Sequence, residues 1–275
     1  MRDDAAVTVA VCQLAPVLGD VEGNVARALA AVAGAAAAGA RLVVLPELVS
    51  SGYAFSGPDE LARCAEPPGG PTVTRLAAAA RAHGAVVVAG FPELADGGEM
   101  CNSAVLADPS GVRAVYRKAH LWDREKALFT AGSAPPAVVD TGVGRVGVMV
   151  CYDLRFPEWL RLATLDGAEI VCAPANWPAE PRPAGERPVE VVRLQASASV
   201  NHVYVAAADR VGRERGVDWV GGSAIVAPDG YPLAVADPAR GEQLLTAECR
   251  PAAARDKRVS PHNDVLADRR LDLYG

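Results

Sequence analysis

Three side chains able to share one reaction stand where apolar runs end. Glu47 follows the run from Arg41 to Leu45, within Leu45-Pro-Glu-Leu-Val49. Lys118 ends the run that starts at Val112, within Val115-Tyr-Arg-Lys-Ala-His-Leu-Trp-Asp123. Cys151 ends the run from Val146 to Val150, and the polar residues Tyr152, Asp153 and Arg155 follow at once. Pro157 and Glu158 then open an amphipathic segment, so this stretch reads as a strand-to-helix elbow with a thiol at its apex. Open α/β folds place their reactive groups at such carboxyl edges. The thiolate is the nucleophilic form of cysteine. A carboxylate nearby would take the thiol proton. An ammonium, with the peptide N–H groups just after the cysteine, would stabilise an oxyanion.

Strand exits must share one edge for these groups to meet. The pattern predicts strands over 7–14, 41–45, 85–91, 103–107, 112–117, 146–150, 169–173, 203–208, 223–227 and 244–248. It predicts helices over 24–38, 72–83, 157–166 and 187–201, the first two closed by Gly39 and Gly84. Turns are expected at Asp108–Gly111 and Pro228–Gly230. There is an internal echo: Ala38-Gly-Ala-Arg-Leu-Val-Val-Leu-Pro-Glu47 resembles Asp166-Gly-Ala-Glu-Ile-Val-Cys-Ala-Pro-Ala175. Each copy follows a unit that begins with an apolar strand. Two similar β-α-β halves follow, hence two sheets packed face to face with helices outside. No Pro/Ser linker divides them, so residues 1–275 read as one domain. Residues 250–275 are polar, have no clear period, and carry too little apolar surface to fold alone.

Composition removes other classes. With 51% hydrophobic and 22% charged residues the chain has an ordinary globular balance. A net charge of −6, with no long basic run, argues against a nucleic-acid partner. The alanine-rich stretch around Ala28–Ala40 carries glycines and reads as a packed helix, not a membrane span. The charged N-terminus enters a strand directly and shows no signal-peptide pattern, so a cytoplasmic protein is expected. Cys12, Cys64, Cys101, Cys151, Cys172 and Cys249 include no Cys-x-x-Cys pair, and Cys12, Cys172 and Cys249 read as core thiols. The four histidines are scattered without metal-ligand spacing, so neither a metal nor an organic cofactor is expected.

Taken together, the segments around Glu47 (PELVSSGY), Lys118 (YRKAHLW), Arg124 (REKALFTAG), Cys151 (GRVGVMVCYDLRFPE) and Ala173 (APANWP) resemble the nitrilase superfamily of carbon–nitrogen hydrolases. The resemblance covers nearly the whole chain, with the motifs in order. It implies a four-layer α-β-β-α sandwich, a Glu-Lys-Cys triad and assembly into dimers or larger homo-oligomers. It makes Glu47 the general base, Lys118 the oxyanion stabiliser and Cys151 the nucleophile. It makes the backbone N–H of Tyr152 the second oxyanion donor, and Glu125 a further carboxylate that positions substrate. His120 receives no role as base and is expected to make a structural hydrogen bond. Asp153 and Arg155 are expected to pair and brace the elbow.

The run Cys-Tyr-Asp-Leu-Arg-Phe-Pro-Glu looks like the amidase-type branches, because nitrilases proper usually follow the cysteine with Trp-Glu. The expected substrate is a small linear amide. N-carbamoyl amino acids, β-ureidopropionate and nitriles are the alternatives, and a silent binding protein of the same fold is the alternative outside enzymes. Tyr53, Asn176, Trp177 and Trp219 are expected to wall the pocket. Phe156, Trp159, Leu160 and Leu162 after the elbow exceed what one helix face needs, and are expected to form a subunit interface together with the tail.

Overall fold

The computed structural model describes residues 5–274, so residues 1–4 and 275 lie outside the described part. The first half runs β1 (Val7–Gln13), α1 (Val21–Ala37), β2 (Leu42–Val44), α2 (Pro58–Ala62), α3 (Pro71–His83), β3 (Val86–Leu94), β4 (Met100–Asp108), β5 (Gly111–Arg117) and α4 (Glu125–Leu128). The second runs β6 (Ala137–Thr141), β7 (Gly144–Val148), α5 (Pro157–Leu165), β8 (Ile170–Ala175), α6 (Val189–Asn201), β9 (Tyr204–Asp209), β10 (Arg213–Glu214), β11 (Val217–Asp218), β12 (Ala224–Val226), β13 (Pro232–Val235) and β14 (Gln243–Cys249). After β14 come α7 (Pro251–Arg255) and the small hairpin β15 (Arg258–Ser260) and β16 (Asn263–Asp264).

Two six-stranded sheets result, in the orders β14-β1-β2-β3-β4-β5 and β13-β12-β9-β8-β7-β6. In each the three central strands are parallel: Val9 pairs with Leu42 and Leu42 with Val86, as Val146 pairs with Ile170 and Ile170 with Tyr204. The side-chain period of two explains the layering. Val9, Val11, Leu42 and Val44 meet Val146, Val148, Ile170 and Cys172 in one core between the sheets. The alternate residues Ala10, Val43, Leu45 and Val87 pack outward beneath α1 and α3. Helices α5 and α6 cover the second sheet with Leu160, Ala163, Leu194 and Ala198. The arrangement is the expected α-β-β-α sandwich, and the echoed segments are the central strands β2 and β8 of its two sheets.

Boundaries shift for local reasons. Helix α1 starts at Val21, earlier than the pattern predicts, because the Asp20 side chain accepts from Gly23 N and caps it. Strand β7 leaves its ladder after Val148, although the apolar run continues to Val150, because the chain must turn into the tight helical turn Cys151–Arg155. Strands β6 and β13 were not expected; both are half-exposed edge strands whose short, mixed sequences carry no strong alternation.

Both segments expected at a subunit interface also make contacts within the chain. Phe156 stacks on His120 at 3.8 Å, Trp159 Nε1 donates to Tyr116 Oη at 2.9 Å, and Leu160 is buried. Of the four large residues after the elbow only Leu162 is exposed, while Leu271, Leu273 and Tyr274 of the tail are exposed as well. The segment after Arg250 begins by packing on its own chain. Pro251 and Ala254 are buried, Arg255 pairs with Glu169, and Lys257 Nζ donates to His202 O at 2.8 Å.

Gly90 of β3 lies against the backbone that carries Glu47. Its N–H donates to Pro46 O at 3.1 Å and its carbonyl accepts from Val49 N at 3.0 Å. A Cβ there would stand 2.4 Å from Leu48 N and 2.5 Å from Glu47 Cα. Gly90→Ala is therefore expected to lower the unfolding free energy by about 1–3 kcal/mol. Gly34, on the open face of α1, has nothing within 4 Å of such a Cβ. Gly34→Ala is expected to raise stability by about 0.5–1 kcal/mol. Urea denaturation of the two variants checks the contrast in sign.

Candidate active site

The exits of both sheets converge on one buried cluster. After β2, Leu45 still bonds to Val88 O, then Pro46 removes a donor and Leu48 takes a left-handed φ of 45°, which ends the strand and leaves Glu47 at the edge. Lys118 follows β5, its N–H held by Asn102 O at 2.8 Å and its carbonyl by Gly132 N at 2.9 Å. Cys151 opens its helical turn with a φ of 49°, a conformation that costs an L-residue of this kind on the order of 1 kcal/mol. The elbow read from the sequence is present in the backbone.

Lys118 Nζ lies 2.7 Å from Glu47 Oε1 and 2.8 Å from Glu125 Oε1, and all three residues are buried. Asn102 Nδ2 donates to both carboxylates, at 2.7 Å to Glu47 Oε1 and 3.1 Å to Glu125 Oε1. Trp122 N donates to Glu125 Oε2 at 2.7 Å. Glu47 Oε2 is buried and has no hydrogen-bond partner among the described residues. Asn176, after β8, donates from Nδ2 to Glu47 O at 2.9 Å and accepts from Cys151 Sγ through its carbonyl at 3.8 Å. The cluster therefore joins Glu47, Asn102 and Lys118 of one sheet system to Cys151 and Asn176 of the other. Asn102 is the residue that sequence reading passed over. Its signal was a polar side chain inside the apolar strand β4, whose predicted start fell one residue after it.

Burial sets the protonation states. It pushes the Glu47 carboxyl up to about 7; the Lys118 charge opposes that rise and Glu125 adds to it. Burial alone would lower Lys118, yet Glu125 and Glu47 hold its ammonium well above the usual range. Burial, then the Glu47 charge, pushes the Cys151 thiol well up, and Lys118 only partly offsets this. The resting cysteine is a neutral thiol beside a base.

The elbow is braced differently from the expectation. Asp153 accepts from Tyr116 Oη at 2.7 Å, from Val150 N at 3.0 Å and from His120 N at 3.0 Å, and it contacts His120 Nδ1 at 2.7 Å. His120 thus has the expected structural role. Arg155 is exposed and does not pair with Asp153, because Tyr116, His120 and the turn's own backbone already occupy that carboxylate.

The four expected pocket residues divide between two cavities. One, of about 60 Å³, is lined by Cys151, Tyr152, Asn176 and Trp177. The other, of about 160 Å³, is lined by Tyr53, Glu125 and Trp219. Trp122 and Pro178 border both. Buried Arg210 fixes the second: it lies over the Trp219 ring at 4.6 Å and donates to Glu214 Oε2 at 3.0 Å. Glu214 Oε1 in turn accepts from Tyr53 N at 2.9 Å.

Residues 8–259 match the family model described as carbon-nitrogen hydrolase. The chain belongs to that family. It is 39% identical over 271 residues to a protein named nitrilase from Pyrococcus abyssi, covering 98% of this chain and 99% of that one. It is 38% identical over 266 residues to an (R)-stereoselective amidase from Pseudomonas sp, covering 96% and 91%. Among solved structures, an amidase from Nesterenkonia sp. superposes with a TM-score of 0.81 at 29% identity, covering 98% of this chain and 96% of that one. A mutant of the Nesterenkonia enzyme shows covalent addition of the acetamide moiety of fluoroacetamide at the active site cysteine, with a TM-score of 0.77 at 29% identity, over 92% of this chain and 94% of that one. Among the described residues of this carbon-nitrogen hydrolase, no group of three or more His, Cys, Asp or Glu is placed to hold a metal ion.

The central ammonium gives a stability prediction. Lys118→Met leaves Glu47 and Glu125 buried without a cation, which is expected to cost about 3–5 kcal/mol where both are ionised. Without the ammonium the Glu47 carboxyl, already raised to about 7 by burial, moves further up. Its ionisation then opposes folding more strongly above that raised value, and protonation relieves it as pH falls. The variant's deficit should therefore be larger at pH 8 than at pH 5, measured by denaturant titration at both.

Proposed function

We propose that this carbon-nitrogen hydrolase is an amidase in which Glu47, Lys118 and Cys151 carry the reaction on a small linear amide, without a metal or organic cofactor. The observation that carries the assignment is the division of labour on Glu47. Its Oε1 is occupied by Lys118 and Asn102, while its buried Oε2 has no partner and is left for proton transfer. As Cys151 Sγ attacks the amide carbon, Glu47 takes the thiol proton. An ammonium has three N–H donors, and Lys118 spends two on carboxylates. The third, with the N–H of Tyr152, meets the developing oxyanion. Glu47 returns the proton to the nitrogen, ammonia departs, and a thioester remains. Water then attacks the thioester carbon, giving its proton to Glu47. Collapse releases the carboxylic acid, and the expelled sulfur recovers the proton. Glu125 holds the second side of the ammonium and faces the Tyr53 and Trp219 cavity, which suits a residue that positions substrate.

In this reading residues 1–275 form one catalytic unit that works as a homodimer or higher homo-oligomer. Leu162 and Leu165 of α5, Val192 and Val200 of α6, and Leu271, Leu273 and Tyr274 near the C-terminus are all exposed. A self-complementary two-fold contact would bury them. A reducing cytoplasm suits six cysteines that are all buried and free. No helix of the described residues is long and apolar enough to cross a membrane.

Three measurements follow. Cys151→Ala should remain folded and release ammonia from simple amides at least about a thousandfold more slowly. In the wild type, kcat/KM should fall with decreasing pH below about 7, because the Glu47 carboxylate, the required base form, is lost there. Wild-type turnover in the alanine variant sinks the assignment. In sedimentation equilibrium the protein should be at least dimeric at micromolar concentration, and Leu162→Glu combined with Val200→Glu should shift it toward monomer. A wild-type monomer refutes the assembly.

A further inference from the structure

The cavity that opens on Cys151 carries charge that amide hydrolysis does not require. Beside Cys151 and Tyr152 its wall holds Arg155, Glu180, Glu190 and Arg193. Arg155 and Glu180 are exposed, whereas Glu190 and Arg193 are half-buried. The latter two lie one turn apart near the start of α6 and share one helix face. Among the described residues, neither side chain makes a hydrogen bond or an ion pair. Their neighbour Arg187, by contrast, donates to Gln195 Oε1 at 2.8 Å. Burial lowers the Arg193 guanidinium, Glu190 raises it and Arg155 lowers it further. A guanidinium has five donors and no acceptor, and none of those on Arg193 meets an acceptor among the described residues, although the charge of Glu190 one turn away partly offsets its own. The same holds for the Glu190 carboxylate. Both deficits end when a ligand brings the complementary groups.

We propose that this wall binds the end of the substrate remote from the scissile amide, and that this end is an α-amino acid head group. Its carboxylate meets Arg193 and its ammonium meets Glu190. The substrate class is then an ω-amide of a small amino acid, a specification that rests on the amidase reading above. An anionic substrate would satisfy Arg193 and set a like charge near Glu190. A cationic one would do the reverse. Only a group bearing both charges serves both side chains, and like-charge mismatch is a strong source of discrimination. The exposed Arg155 and Glu180 at the rim repeat the same balance, so the wall has no net charge to favour a simple ion.

The test is a panel of primary amides of matched length: pentanamide, glutaramate, 5-aminopentanamide and glutamine, each followed by ammonia release. Glutamine should exceed pentanamide in kcat/KM by about tenfold or more, as charged hydrogen bonds to substrate typically provide. Arg193→Met should reduce the glutamine-to-pentanamide and glutaramate-to-pentanamide ratios by about tenfold. Glu190→Gln should reduce the glutamine-to-pentanamide and 5-aminopentanamide-to-pentanamide ratios similarly. A highest kcat/KM with any of the other three amides overturns the proposal, as do ratios that neither variant moves. Turnover of pentanamide without a charge preference defeats this inference alone. Absence of ammonia from every amide defeats the amidase reading with it.

Discussion

The site depends on one fully buried ammonium. Lys118 has no exposed surface, and it sits between two carboxylates that are themselves almost entirely out of water. Such a cation is tolerated only because both partners are within hydrogen-bond distance and Asn102 ties them to each other. Buried ion pairs contribute little net stability, since desolvation offsets most of the attraction. The value of this arrangement is positional and electrostatic. It fixes one oxygen of Glu47, leaves the other unpartnered, and keeps positive charge beside the sulfur. The same burial raises both Glu47 and Cys151, so the ground state is a neutral thiol next to a carboxyl poised near neutrality. In the proposed reaction, proton transfer and nucleophilic attack are then coupled, and a standing thiolate is not needed.

The surrounding structure makes that geometry rigid through backbone contacts. Asp153 gathers the strand before Cys151, the segment after Lys118 and the ring of Tyr116 onto one carboxylate. Asp209, at the end of β9, does the same for the pocket loops, accepting from Trp177 N and Gly222 N at 2.9 Å each. Each is a buried carboxylate filled with donors, the condition under which buried polar groups specify a single arrangement. Arg210 and Glu214 extend this to the Tyr53 loop.

What the sequence revealed follows from how each feature is encoded. Glu47, Lys118 and Cys151 are legible because each interrupts an apolar run at its end, where a polar residue has no packing reason to be. The two sheets are legible because their central strands are apolar on both faces and the β2 and β8 segments echo one another. Asn102 was hidden because it stands inside a strand, where its contribution comes from neighbours distant in sequence. Asn176 was read as a wall, and it does line the cavity, but its amide is also a strut to the Glu47 backbone. The ring contacts of Phe156 and Trp159 within the chain were not legible, because composition does not tell which way an aromatic ring turns. Both rings point to His120 and Tyr116, partners supplied by the β5 exit.

The placement of the reactive groups on opposite sheets has a mechanical consequence. The Glu47 carboxyl and the Lys118 ammonium ride on one layer and the Cys151 thiol on the other, so their separation depends on the apolar filling between the layers as well as on the Asn176 strut that joins them. Val44, Val88, Ile170 and Cys172, none of which touches the cluster in a hydrogen bond, act as spacers between the two layers. A close-packed interior is nearly incompressible. That separation is thereby gauged in part by hydrocarbon volume, and a methyl group gained or lost deep in the sandwich acts on it as a shim does on a bearing.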